Sequence, residues 1–496
     1  MLCFLFVVVA QQQSTTCGSL KTAYKSSECC GKPTGTAAVF DGSCTCPPPP
    51  PPPPPASTPA PAPVHPPLHF GNPRCYTTFE DPDALADSTP HHEIERLGGW
   101  IRRNYTGTEL HECGNYMHPT LAYVAHSSHI GMCEYDAHTG IQGSLPAHYH
   151  GTVLSASRGS WNRETWTGRR IDSFLLQTVQ DSMPGRTRLA PQRFEILTPP
   201  TGPGVTDFEL RPVDVIQAPN GVLLVTTDKC ELHNGASCEG LYAISANHAL
   251  ANPILNWTDP VHGHFYMARL SDPINNLRMM ASSHKYVYIG VGGYGGGMNV
   301  MVAKINDDYT ATMKTLVTNL WGPQGVAYDA SDGTLYIATM NNAQTMIGRG
   351  RAVVYISAVD DIADALFAET EVTLYGSDSR VKLLNNTYSQ TIDSGHPLSA
   401  VAVMPNGLVL VGVGAEANFQ QTFQHGYVVA INKTTGNAYR FGSGSRNPVG
   451  FLHHKGHVLI NDMGSDDAEG GVVGGVENAP NDDLWAVKLD QTLTEI

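Results

Sequence analysis

GHPLSAVAVMPNGLVLVGVG, residues 395–414, is the stretch whose reading decides the fold. It holds two apolar runs of strand length, Leu398 to Val403 and Leu408 to Val413, joined by Pro405, Asn406 and Gly407. Proline presets the backbone for a turn and Asn-Gly tolerates left-handed φ, so the unit reads as two antiparallel strands. The same pattern recurs in VIQAPNGVLLVTTD (215–228), MASSHKYVYIGVG (280–292) and VAYDASDGTLYIATM (326–340). Downstream, Tyr427 to Ile431 and His457 to Ile460 continue the series, punctuated by Thr434-Thr435-Gly436-Asn437 and Lys455-Gly456. Strand pairs repeated at this spacing predict an all-β fold built radially, a β-propeller, and periodicity alone counts five or six units. His396, the Arg446-Asn447 pair and the Asp462 loop all fall at strand ends, which in such a fold point into the central channel where ligands bind.

Composition agrees with that class. Forty-nine glycines and only 15% charged residues in 496 suit tight turns between buried strands. Asp and Glu outnumber Lys and Arg 45 to 30, and the net charge of -15 disfavours nucleic acid or an anionic membrane as partner. A neutral sugar meets no such barrier. The apolar run from Met1 to Ala10 is too short to span a bilayer and reads as a signal-peptide core, so residues 1–13 are expected to be a leader and the protein to be secreted, with no membrane span. Sequons at Asn104, Asn256, Asn385 and Asn432 are compatible with that route. Cys17, Cys29, Cys30, Cys44 and Cys46 mark residues 14–46 as a small disulfide-stapled module. The proline run from Pro47 to Pro55 opens a polyproline II linker over 47–67. Residues 68–112 are a mixed polar segment with a short helix expected around His92 to Arg103, and the propeller is expected over 113–490.

Several short words at those strand ends resemble the soluble quinoprotein dehydrogenases, the glucose, sorbosone and pyranose dehydrogenases. These words are His396 ahead of its strand and PxG turn, SRNPVG (445–450), the loop from Asp462 to Ser465, and Asp482-Asp483. HPTLAYVAHSSHIG (118–131), GSWNRETWTGRR (159–170) and RPVDVIQAPNGVLLVTTD (211–228) match further elements in circularly permuted order, and the resemblance covers roughly 113 to 490. It implies a six-bladed propeller holding pyrroloquinoline quinone and Ca2+, oxidising a sugar or polyol hydroxyl and passing electrons to a separate acceptor. By resemblance, His396 is the base, Arg446, Asn447, Arg278 and Arg211 bind the quinone, and backbone carbonyls of Gly464 and Ser465 hold calcium. Imidazole suits proton removal near neutral pH, guanidinium suits the carboxylates of the quinone, and hard oxygens suit calcium. Two positions depart from the family: Ser465 stands where it has proline, and Arg158 where it has histidine.

Two other readings stay open. One is a propeller without catalysis, an extracellular module that binds carbohydrate or protein. The other is a calcium-dependent lactonase-like propeller, which needs several carboxylates converging on one ion. GVGGYGGGMN (290–299) lacks the lysine of a phosphate loop and reads as an inter-strand loop, and no serine elbow, HExxH or CxxCH haem word occurs.

Overall fold

In the computed structural model, the described residues run from 120 to 489, leaving out 124–126, 138–143, 160–167, 181–186, 200, 202–208, 229–236, 238, 247–249, 251–252, 260–262, 293–298, 307, 321, 340–351, 387–399, 415–425 and 464–481. Short strands at Leu68–His69, Cys75–Tyr76, Ile101–Arg102 and Thr494–Glu495 are also described. The chain divides into Met1–Ala62 and Pro63–Ile496, and every described residue belongs to the second unit. The expected leader, cysteine-rich module and linker all lie outside the described residues.

Six small sheets make the six blades of a β-propeller. Blade I is His129–Glu134, Val153–Ser157, Arg170–Gln180 and Thr187–Ile196. Blade II is Pro212–Gln217, Leu223–Thr227, Gly240–Ala246 and Gly263–Arg269, with Pro253–Asp259 on its outer edge. Blade III is Leu277–Ser282, Val287–Val291, Asn299–Ile305 and Ala311–Thr318. Blade IV is Pro323–Asp329, Thr334–Thr339, Ala352–Ile356 and Lys382–Asn385, with the helix Val359–Phe367 between its last two strands. Blade V is Val401–Val403, Leu408–Val413, Tyr427–Asn432 and Ala438–Ser443. Blade VI joins Pro448–His454, His457–Asp462 and Asp482–Lys488 to Leu121–Tyr123 from the far end of the sequence. That exchange closes the ring, and the innermost strands of the six blades follow one another around it.

Strand alternation explains how each blade serves two neighbours. Leu223 and Val225 pack toward blade I with Leu154 and Ile171, whereas Val222 and Leu224 pack toward blade III with Val287 and Ile289. The remaining seams repeat this arrangement, so the apolar core is six inter-blade clusters, with a small seventh where Ile130, Val213 and Val449 of three inner strands meet. Close approach of inner strands requires glycine: a Cβ on Gly412 would lie 2.1 Å from the Pro448 carbonyl oxygen, and one on Gly450 would lie 2.0 Å from that of Ile130. In the hairpin between His454 and His457, Lys455 (φ 48) and Gly456 (φ 76) both take the left-handed backbone that a tight two-residue turn demands.

Of the helix expected around His92 to Arg103, residues 92–100 and 103 lie outside the described residues, and Ile101 and Arg102 are extended instead, pairing antiparallel with Tyr76 and Cys75. A helix of that length is marginal by itself, and strand pairing offers those backbone groups a partner. Among the described residues no helix is long and apolar enough to cross a membrane.

Candidate functional site

At one end of the ring the innermost strand begins where its neighbouring strand ends, and in five of the six blades a backbone bond among the described residues ties the two. Arg158 N–H donates to the Ser128 carbonyl, Asp228 N–H to Arg211, Gly292 N–H to Asn276, Gly412 N–H to Ala400 and Met463 N–H to Asn447. Side chains at these positions rim the channel mouth. Arg211 immediately precedes the inner strand of blade II, Arg278 is the second residue of that of blade III, and Asn447 immediately precedes that of blade VI. In a ring of six, blade VI stands opposite blade III, so Asn447 and Arg278 sit on opposed blades. His396, Gly464 and Ser465 lie outside the described residues, as do Trp161, His126 and most of the loop after Gly290.

The mouth at blades I to III is a network of ion pairs. Asp228 of blade II receives Arg158 Nε of blade I at 2.7 Å on one oxygen, and Arg278 Nη1 of blade III on the other. Arg278 Nε donates in addition to the Gly292 carbonyl at 2.6 Å. Burial opposes ionisation of Asp228, yet the two guanidiniums outweigh it and hold its carboxyl below the usual range. Beside it, Glu209 meets Arg169 at 2.8 Å and Arg211 at 3.4 Å, and Arg211 Nη2 reaches the Gly159 carbonyl at 3.5 Å. Burial lowers the pKa of Arg211, and repulsion from Arg158 adds to it. Burial likewise brings Arg169 down to about 10, with Glu209 opposing and Arg211 and Arg158 assisting. Arg211 and Arg278 are thus brought into one neighbourhood, with Arg158 between them.

Blade VI holds its polar pair differently. The carboxylate of Asp462 accepts the backbone N–H of Arg446 at 3.0 Å and of Asn447 at 2.6 Å, which fixes this turn. Burial pushes the Asp462 carboxyl up to about 7 even so, the two amide bonds pulling the other way. Its oxygens brace the turn. Arg446 Nη1 donates to the Met463 carbonyl at 3.4 Å. The Asn447 amide is uncommitted: Nδ2 meets only the Met463 sulfur at 3.9 Å, and Oδ1 is buried with no hydrogen-bond partner among the described residues. A buried amide with spare capacity, flanked by guanidinium, fits a polar ring bearing carbonyl and carboxylate groups. No hydrogen bond joins this pair to the blade I to III network among the described residues.

Within HPTLAYVAHSSHIG, His126 lies outside the described residues, and the described histidine His129 is held by several partners. Its Nε2 meets Asp172 at 2.8 Å and its Nδ1 meets Ser127 Oγ at 3.0 Å, while Tyr123 stacks on its ring at 3.5 Å. Arg170 Nε completes the set on Asp172 at 2.6 Å. All of these side chains are buried, so the cluster braces blade I against blade VI rather than facing a ligand. Arg158 and Asp228 were also missed as a pair. Their signal was the arginine at the family's histidine position and an aspartate closing a strand of otherwise apolar and threonine residues.

No family model matches the chain, and neither does any curated protein. Solved structures match at low identity and low TM-score. A family AA12 carbohydrate-active enzyme of Trichoderma reesei, in a structure with calcium, is 10% identical with a TM-score of 0.39, covering 76% of this chain and 98% of its own. A Thermus thermophilus protein assigned as an oxidoreductase (glucose dehydrogenase) is 13% identical with a TM-score of 0.37, covering 72% and 99%. Puromycin hydrolase is 14% identical with a TM-score of 0.36, covering 73% and 46%. Oxidoreductase and hydrolase names stand side by side, so chemistry must be argued from the mouth itself.

Proposed function

We propose that the chain is an extracellular oxidoreductase that oxidises a sugar or polyol hydroxyl at the channel mouth, using pyrroloquinoline quinone and calcium and a separate electron acceptor. The observation that carries this reading is the uncommitted, buried amide of Asn447, held beside Arg446 by the Asp462 brace on the blade opposite Arg278. When bound, the quinone supplies the two-electron acceptor and calcium polarises it. The amide of Asn447 and the guanidiniums of Arg446, Arg278 and Arg211 bind and orient the ring and its carboxylates. An imidazole nitrogen of His396 would take the proton from the substrate hydroxyl oxygen. Carbonyls of Gly464 and Ser465, which follow directly on Met463, supply hard oxygen ligands.

The test is a titration of the purified protein with quinone in calcium, followed by absorbance and calorimetry, with an Arg446→Ala, Asn447→Ala variant beside it. Tight calcium-dependent binding lost in the variant, and dye reduction with an aldose, supports the reading. Absence of quinone binding overturns it.

A second reading, a non-catalytic module that binds carbohydrate or protein, has its own observation. Arg278 and Arg211 are already engaged by Asp228, Glu209 and backbone carbonyls, as structural arginines would be. Carbohydrate binding that survives His396→Ala, with no redox activity in the parent, selects it.

A further inference from the structure

We infer that Arg158, Asp228 and Arg278 form a carboxylate-binding corner that makes the mouth select an acidic saccharide over a neutral one. The saccharide part rests on the function proposed above; the carboxylate part rests on the corner alone.

Two guanidiniums share one carboxylate, and among the described residues Asp228 is the only acid that either arginine meets. Arg158 donates through Nε alone, leaving both terminal nitrogens without a hydrogen bond to any described residue, and Arg278 leaves Nη2 in the same condition. Asp228 is the deepest of the three: its side chain is 4% exposed, against 17% for Arg158 and 13% for Arg278. A ligand arriving at the mouth therefore meets guanidinium edges first. Because Asp228 sets both side chains in place, little rotamer entropy remains to be lost on binding. A planar two-oxygen anion matches such edges in paired hydrogen bonds, and one added negative charge balances the corner, whereas a neutral hexose leaves one positive charge half-buried and uncompensated. The repulsion that Arg158 exerts on Arg211 and Arg169 is relieved by the same anion.

The experiment is calorimetric titration of the whole chain, without quinone or calcium, with D-glucuronate, D-glucose and inorganic phosphate, in parent and Arg158→Gln. Glucuronate is expected to bind about tenfold or more tighter than glucose, the scale of one charge-assisted pair, and Arg158→Gln to bring the two within about twofold. Circular dichroism checks that the variant folds, and in the parent rising salt should weaken glucuronate and leave glucose unmoved. Equal binding of the two sugars, or phosphate as tight as glucuronate, overturns the inference. So does loss of the glucuronate preference once the quinone is bound, which would give the Arg158 edge of the corner, and not only Arg278, to the cofactor. Quinone binding with no glucuronate preference leaves the redox reading standing and removes this one, while the opposite pair of results does the reverse.

Discussion

Blades I, II and III are tied together twice, each time by an aspartate of blade II, and the two ties use opposite chemistry. At the mouth, Asp228 holds Arg158 of blade I and Arg278 of blade III, and the arginines keep it ionised. Fourteen residues earlier, Asp214 sits within the inner strand, fits against Gly131 of blade I and accepts the Met280 N–H of blade III at 2.6 Å and its own neighbour's, Val215, at 2.9 Å. Among the described residues no cation meets it, and burial pushes its carboxyl up to about 7 against those two amides. The same side chain on the same blade is a charge anchor in one place and a nearly neutral wedge in the other. What differs is the company: guanidinium offsets the loss of solvation, and backbone amides alone do not.

Breaking the charged tie should have the largest effect. Asp228→Ala strands two partly buried guanidiniums, and urea unfolding is expected to show a loss of about 3–5 kcal/mol. Removing the charges together, as Asp228→Ala with Arg158→Gln and Arg278→Gln, should recover most of it. A single-variant loss no larger than that of an exposed pair would mean that solvent already reaches the corner.

The wedge should show itself through pH. A carboxyl near 7 in the folded chain and about 3.9 in the unfolded one favours folding fully below pH 4, and that contribution is lost as pH rises from about 4 to 7. The loss is at most about 4 kcal/mol, and Asp214→Asn should flatten stability across that window. Asp228 acts in the other direction, contributing above its unfolded value and failing as pH falls below it. The neighbouring Cys133 is pushed well up by burial and then by Asp214, so it stays a thiol throughout the window. A parent whose stability is flat between pH 4 and 7 would sink this account of Asp214.

Much of the scaffold was legible because it rests on local rules. Leu408–Val413 was set by apolar alternation and turn residues, which also put Asn447 at a strand end, whereas Arg211 and Arg278 entered through the resemblance and the observed strands show them at the starts of their inner strands. Partner choice was not legible. An aspartate inside PVDVIQ looks the same in sequence whether it will meet an arginine or an amide, because the meeting depends on residues 66 positions away in another blade. The surroundings of His129 were no more legible: its burial depends on Asp172 within blade I and on the Ser128–Asp482 contact between blades I and VI. His396, Gly464 and Ser465 lie outside the described residues, so that part of the candidate site still rests on resemblance.

The smallest predicted effect examines the wedge from its other side. A Cβ on Gly131 would stand 1.7 Å from Asp214 Oδ1 and 2.7 Å from its Cα. The carboxylate can swing aside, but the Cα belongs to a strand held by its own ladder, so Gly131→Ala must open the seam between blades I and II. The expected cost is about 1–3 kcal/mol by thermal or urea unfolding. Shortening the wedge with Asp214→Ala should relieve the part of that cost that comes from the carboxylate, so the two substitutions combined should cost less than their sum. Strict additivity would locate the strain in the strand backbones alone, and the pH dependence assigned to Asp214 would then have to be independent of how tightly blade I closes upon it.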